Sequence, residues 1–534
     1  MKKLLLIEIL LTISFTLMAE DPAKTYKNPV VNYSLPDPSV IRAEDGYFYL
    51  YATEDIRNLP IHRSKDLIKW ESVGTAFTDE TRPTFEPKGN LWAPDINKIG
   101  DKYVLYYSMS CWGGEWTCGI GVATADKPEG PFVDHGMMFR SNEIGVQNSI
   151  DPFYIEDGGR KYMFWGSFRG IYGIELTADG LKVKSGADKK QIAGTAYEGT
   201  YIHKKNGYYY LFEAEGGTGP GHRITVSRSR ELMGRYEPCP YNPIMRQTDE
   251  KAIIQRCGHG KPVQTQNGEW YMVYLCGRKI GDGYSILGRE TALDKITWTA
   301  DGWPVVNNLD GPSAMQIKPD LPETVWESSY FDDFDGEYLS TDWMFPRVPE
   351  PDGVLLQDSH VKIKGSCADL DSMGARNILL RRQQHFKFTA VCKMKMPQLY
   401  PGQDAGMTCY YDENTFVKFG VFATQEPQPR LIVKAVEVIG EQVKESGSIE
   451  LDFRRQDVYL KIETNDLKRT CYMSYDGKEY IKVAVLENVY YLCDEGLKKG
   501  KRFTGAMIGM YAYAGDFGSR YVDEYGRHGD DTLY

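Results

Sequence analysis

One unit recurs five times along the chain, and a repeat of that length constrains the fold more tightly than composition does. Each copy opens on a polar or charged residue, runs through a short apolar stretch, turns at Gly, Asn or Asp, and returns as an aromatic strand. The copies run from Asp37 to Tyr51, Trp92 to Tyr107, Asp151 to Trp165, Glu198 to Phe212 and His259 to Tyr274. Their lead residues are Asp37, Asp95, Asp151, Glu198 and His259, spaced 58, 56, 47 and 61 residues apart. Each copy reads as a β-hairpin. Further strand-like runs, such as 119–124 and 223–228, fall between copies. About four strands in roughly 50 residues make a propeller blade. The expectation is a five-bladed β-propeller over residues 28–310.

In a propeller the innermost strands converge on one axis, so residues leading those strands gather there. Three Asp, one Glu and one His in one place are costly unless paired, hydrated or used. A single Asp-Pro or Glu-Gly reads as a turn cap; recurrence at one phase of five repeats favours a site. Trp92 lies three residues before Asp95, and the loop Trp112 to Trp116 is also aromatic. These rings suit stacking on flat ligands such as sugars, whereas Trp165 and Trp270 read as core.

A Pro-bearing linker, Pro312 to Pro322, separates the repeats from a second pattern. Short alternating strands follow from about Tyr330, for example 386–394, 416–422, 431–435 and 458–463, with almost no helical periodicity. This predicts a β-sandwich over residues 325–534, either a lectin-like module or a lid on the propeller. The chain is all-β. Its net charge of −11 and pI near 5.4 argue against nucleic acid or an anionic membrane as the main partner. Met1 to Lys3 is basic, Leu4 to Met18 mostly apolar and Ala19 small, which reads as a signal peptide over residues 1–19 and export to the periplasm or medium. No other run is long and apolar enough for a membrane span. Ten cysteines are too sparse for a disulfide scaffold. Cys111 and Cys118 bracket one loop, as a hairpin disulfide or as free thiols.

Asp37-Pro-Ser-Val, Trp92-Ala-Pro-Asp95, Ser149-Ile-Asp151-Pro, Glu198-Gly, Cys257-Gly-His259-Gly and Leu287-Gly-Arg289-Glu-Thr-Ala-Leu, in this order, resemble glycoside hydrolase family 43. The tail resembles the β-xylosidase-type, concanavalin-like sandwich of many members, most clearly at Asp404-Ala-Gly-Met-Thr-Cys-Tyr-Tyr-Asp412. The resemblance implies an inverting hydrolase with Asp37 as general base, Glu198 as general acid and Asp151 as the carboxylate that keeps the acid protonated. It places Arg289 beside the carboxylates, where it joins Trp92 and Asp95 of the repeat reading as substrate-binding residues, and His259 near the channel, where in relatives it helps hold one hydrated calcium ion. Inverting chemistry needs one ionised and one protonated carboxyl about 6.5–9.5 Å apart, and residues on different blades can face each other across a sugar. The implied substrate is a pentose-containing plant polysaccharide or its oligosaccharides, cut by an exo-acting α-L-arabinofuranosidase or β-xylosidase. An endo-acting arabinanase and a non-catalytic sugar-binding propeller are the alternatives.

Overall fold

The computed structural model describes residues 24–426, 428–497 and 502–515. The signal peptide expected over residues 1–19, and the end of the chain past 515, lie outside the described residues. Five antiparallel sheets follow one another in chain order. The first blade holds Ser39–Arg42, Phe48–Tyr51, Pro60–Ser64 and Glu71–Thr75. The second holds Asn90–Ile99, Lys102–Ser110, Gly119–Ala125 and Val133–Arg140. The third holds Phe153–Asp157, Arg160–Trp165, Ile171–Glu175 and Lys190–Ala193. The fourth runs from Tyr197–Lys205 through Tyr208–Glu215 and Arg223–Ser229 to Glu237–Pro238, and Met245–Arg246 adds a short pairing. The fifth holds Ile254–Gln264, Trp270–Arg278, Glu290–Trp298 and Pro304–Val306.

The ring is closed. The first strand of each blade touches the first strand of the next, and that of the fifth blade touches that of the first. The aromatic second strands are buried on both faces, as Phe48–Tyr51 and Trp270–Cys276 illustrate. A strand between two neighbouring blades has no solvent face, so its pattern is a continuous apolar run rather than an alternation. Trp165 and Trp270 are buried core residues, as the sequence predicts. The N-terminal segment clasps the fifth blade. Val31 exchanges backbone hydrogen bonds with Thr291, and Leu35 N–H donates to the Arg289 carbonyl.

One backbone device repeats in every blade. Asp37, Ala93, Asp151, Gly199 and His259 all adopt positive φ, at 56°, 36°, 59°, 63° and 43°. In the second, fourth and fifth blades the inner strand is bulged around this residue; in the first and third it begins two residues later. Left-handed backbone is strained for residues other than Gly, and Asp tolerates it better than most. The kinks mark the point where each inner strand reaches the mouth of the ring. They also correct the phase read from sequence, since the second blade's equivalent of Asp37 is Ala93 and not Asp95.

The second unit is a sandwich. Its six-stranded sheet runs in the order Ile378–Arg382, Met507–Tyr513, Asp404–Asp412, Thr415–Ala423, Leu431–Ile439 and Gln442–Glu450. The facing sheet holds Lys387–Lys395, Asp457–Asn465, Lys468–Ser474 and Ile481–Leu486. Alternate residues fill the space between them: Phe419, Val421 and Val433 against Val458, Leu460 and Ile462. Ile286 and Leu287 of the propeller belong to this same core, so the sandwich is docked and not merely tethered. At the seam a Cβ on Gly288 would lie 2.5 Å from the Gly505 nitrogen, and one on Gly505 would lie 2.5 Å from the Leu287 carbonyl oxygen. Only glycine permits that approach. Cys111 and Cys118 are both free thiols. Cys118 Sγ is buried 3.2 Å from Ser141 Oγ and 3.5 Å from the Glu115 carbonyl oxygen of the loop.

Candidate active site

A cavity of about 600 Å³ opens at the mouth of the ring, with walls from both units. Asp37, Asp151 and Glu198 line it together, from the first, third and fourth blades. The three residues singled out for catalysis from sequence are therefore brought into one pocket. The first two sit at the kinks, and Glu198 immediately precedes the kink at Gly199.

Each carboxyl has different company. Asp37 Oδ2 accepts a 2.6 Å hydrogen bond from Thr53, Arg289 Nη1 lies 3.4 Å away, and His259 Nδ1 lies 3.3 Å from Oδ1. Burial would raise the Asp37 pKa, but Arg289, His259 and Thr53 outweigh it and hold the group below the ordinary Asp value. Glu198 Oε2 accepts from Ser167 Oγ at 3.0 Å. Burial, helped by the Asp37 charge and opposed by Ser167 and Arg289, pushes its pKa up to about 7. Asp151 Oδ2 accepts from the Gly199 N–H at 3.1 Å, one residue past Glu198. Burial and then repulsion from Glu198 and Asp37 raise Asp151 as well. Asp151 and Glu198 thus hold a proton between them near neutrality while Asp37 is ionised.

The other sequence-predicted residues divide. Trp92 and Arg289 line the pocket. Trp92 occupies the phase in its blade that Glu198 occupies in the fourth, one residue before the kink. Its ring lies 5.4 Å from Trp112, which lies 4.7 Å from Phe503 of the sandwich, giving an aromatic wall. Arg289 spans the two units, because its Nε donates to the Phe503 carbonyl at 3.0 Å while its guanidinium faces Asp37.

Asp95 is a correction, since it does not line the pocket. Two residues past the kink, it is buried deeper on the axis, where it accepts from Lys261 Nζ at 2.8 Å and from Tyr154 N–H at 2.8 Å. His259 does line the pocket, but the donors around it do not fit a calcium ion. Among the described residues no three His, Cys, Asp or Glu side chains converge as a metal site. Two residues along the same strand, the Lys261 ammonium already neutralises Asp95. His259 instead serves Asp37, and burial keeps its imidazole neutral, with a pKa down to about 4.

Comparison with known proteins agrees with this geometry. Residues 26–304 match the model for Glycosyl hydrolases family 43, and residues 331–523 match the Beta xylosidase C-terminal Concanavalin A-like domain. The chain belongs to glycosyl hydrolase family 43. This family 43 hydrolase is 32% identical to a xylan 1,3-β-xylosidase of a Vibrio species, over 91% of this chain and 96% of that one. It is 29% identical to a non-reducing end α-L-arabinofuranosidase of Bacteroides ovatus, over 92% of this chain and 91% of that one. The crystal structure of the family 43 protein BlXynB from Bacillus licheniformis superposes with a TM-score of 0.83 at 36% identity, over 92% of this chain and 96% of that one.

Several pocket residues of this family 43 hydrolase are invisible to repeat analysis. Thr53 and Ser167 are single hydroxyls in irregular segments outside the repeat phase. His222 follows the glycine-rich loop 216–221, and that loop is the only signal that marks it. Arg347, Glu413, Arg502 and Phe503 come from the sandwich, and Arg347 and Arg502 both pair with Glu413. No local pattern foretells that residues 214 positions apart, such as Arg289 and Phe503, share a wall.

Proposed function

We propose that this hydrolase releases single β-D-xylosyl or α-L-arabinofuranosyl units from the non-reducing ends of plant hemicellulose chains or their oligosaccharides, with inversion at the anomeric carbon. The observation that carries the reading is the opposed titration of two carboxyls in one pocket. Asp37 is held ionised by Arg289, His259 and Thr53, and Glu198 keeps a proton up to about pH 7. Asp37 takes a proton from a water whose oxygen attacks the anomeric carbon. The bond to the leaving oxygen breaks, and that oxygen takes the Glu198 proton. Asp151, fixed by the Gly199 N–H, holds one proton jointly with Glu198, because the two carboxyls repel each other when both are ionised. The relatives named for both pentoses support the sugar class. The wall that Arg502, Phe503 and Arg347 add to one side of the pocket supports exo action.

The test pairs 4-nitrophenyl β-D-xyloside and α-L-arabinofuranoside with linear arabinan, resolving products by size. Monosaccharide release is expected; long oligosaccharides from arabinan would overturn the exo reading. Glu198→Gln should lose activity on natural disaccharides by at least ~100-fold while retaining much of it on nitrophenyl substrates, whose leaving group needs no proton. Asp37→Asn should lose both. Equal behaviour of the two variants on the nitrophenyl substrate would reverse the roles.

A further inference from the structure

Among the described residues that line the pocket, His222 buries a ring nitrogen with no hydrogen-bond partner. Its ring is 1% exposed, and its Nε2 lies 3.8 Å from Glu198 Oε1. Nδ1 lies 3.3 Å from the Arg256 carbonyl oxygen, which can only accept, so Nδ1 carries the hydrogen. Nε2 is then a bare acceptor, and it has no hydrogen-bond partner among the described residues. A buried, unsatisfied acceptor is rare and calls for a physical reason. Burial keeps the ring neutral, with a pKa down to about 3. The ring cannot move far. A Cβ at Gly258 would meet Nε2 at 2.2 Å, so Gly258 is the floor on which His222 lies. The carbonyl it bonds is also anchored, because Arg256 pairs with Asp494 at 3.5 Å and Glu495 at 3.1 Å in the sandwich.

We propose that His222 is a positioning residue for the acid: its bare Nε2 receives the hydrogen of Glu198 Oε1–H and so holds the proton on the oxygen opposite Ser167 until the glycosidic oxygen arrives. The inference rests on the reading of Glu198 as general acid. The 3.8 Å separation exceeds a formed hydrogen bond, and contacts of this kind are commonly long in empty sites and tighten when substrate binds. The remaining groups facing Glu198 do other things. Asp37 and Asp151 repel its charge, Arg289 attracts it, Ser167 donates to its other oxygen, and His259 and Lys261 serve Asp37 and Asp95. His222 Nε2 is a neutral acceptor facing Glu198 Oε1, and an acceptor favours the protonated acid. Without it the alkaline limb of kcat/KM moves to lower pH.

Two amides separate the two ring nitrogens. His222→Asn places an amide where Nδ1 bonds Arg256 and nothing at Nε2; His222→Gln reaches the position of Nε2. His222→Asn is expected to lose roughly tenfold in kcat/KM on a pentosyl disaccharide, with little loss on the matching nitrophenyl glycoside, an unchanged KM and an alkaline limb shifted to lower pH. His222→Gln is expected to restore most of the loss. Equal losses on both substrates with an unmoved alkaline limb would reduce His222 to packing. Glu198→Gln run alongside separates the two readings: if it does not discriminate between leaving groups, the acid assignment fails first. A neutron structure of the unaltered protein decides the matter should either variant fail to fold. Hydrogen on Nδ1 and on Glu198 Oε1 is expected, and hydrogen on Nε2 overturns the proposal.

Discussion

Asp37 and Asp151 sit in left-handed backbone, at φ of 56° and 59°, and this strain is tolerated where it aims a functional group. Asp151 has an effect that is separable from substrate contact. Asp151 and Glu198 repel each other when both are ionised, so Asp151→Asn should lower the acid's pKa. The alkaline limb of kcat/KM should then shift to lower pH, while the acidic limb, set by Asp37, stays in place. A pH profile checks this; an unmoved limb with a raised KM would make Asp151 a sugar ligand. The carboxyl trio was legible because acids recurred near one phase of a repeat, with Glu198 one residue ahead of the kink that Asp37 and Asp151 occupy. Asp95 was misplaced for the same reason. Ala93 occupies the true phase, and an alanine carries no signal. His222 and Ser167 were not legible, because their roles come from where loops fold back, which periodicity does not encode.

Strands explain why the blades hold such polar centres. Lys261 and Asp95, each about 5% exposed or less, form an ion pair on the axis that joins the fifth blade to the second. Lys261→Met would strand a buried carboxylate, at a cost of about 3–5 kcal/mol, and a large drop in Tm by calorimetry is expected. Adding Asp95→Asn to that variant should recover part of it. In the fourth blade the strand Tyr208–Glu215 buries Glu213, whose Oε1 has no partner among the described residues. Burial raises its pKa to about 8. The folded chain therefore keeps a proton that the unfolded chain releases above its lower, ordinary Glu pKa. Stability attached to this group is full below that ordinary value and is lost as pH rises through about 8. Glu213→Gln should flatten this loss, raising Tm by a few degrees at pH 8 and little at pH 4. The hairpins themselves were readable, because turn glycines and aromatic runs are local. The bulges at the kinks were not, since they depend on the ring closing.

At the scale of the molecule, the seam between propeller and sandwich is part of the site. Ile286 and Leu287 lie in the sandwich core, and Gly288 and Gly505 meet backbone to backbone. A chain ending at residue 324 should be insoluble or should lose most turnover on a pentosyl disaccharide, because it uncovers that core and removes Phe503 from the pocket wall. A soluble fragment with intact disaccharide kinetics would mean that the sandwich only tethers polymer. Gly505→Val is a gentler probe: the added Cβ collides with the Leu287 carbonyl, and kcat/KM should fall even where the protein stays folded. Two units were legible in the sequence from the change in strand pattern after the linker. Their shared wall was not, because docking is decided by shape between segments far apart in the chain.

Arg289 touches the base on one side and the Phe503 carbonyl on the other, across 214 residues. The consequence is one of timing. A ribosome has already delivered Asp37, Asp151 and Glu198 when it reaches the linker, yet the chain in its tunnel still lacks the wall that the aromatic ring at 503 completes. A nascent or clipped chain, however well its propeller has closed, meets sugar with an unfinished cup, because Phe503 is missing from the wall.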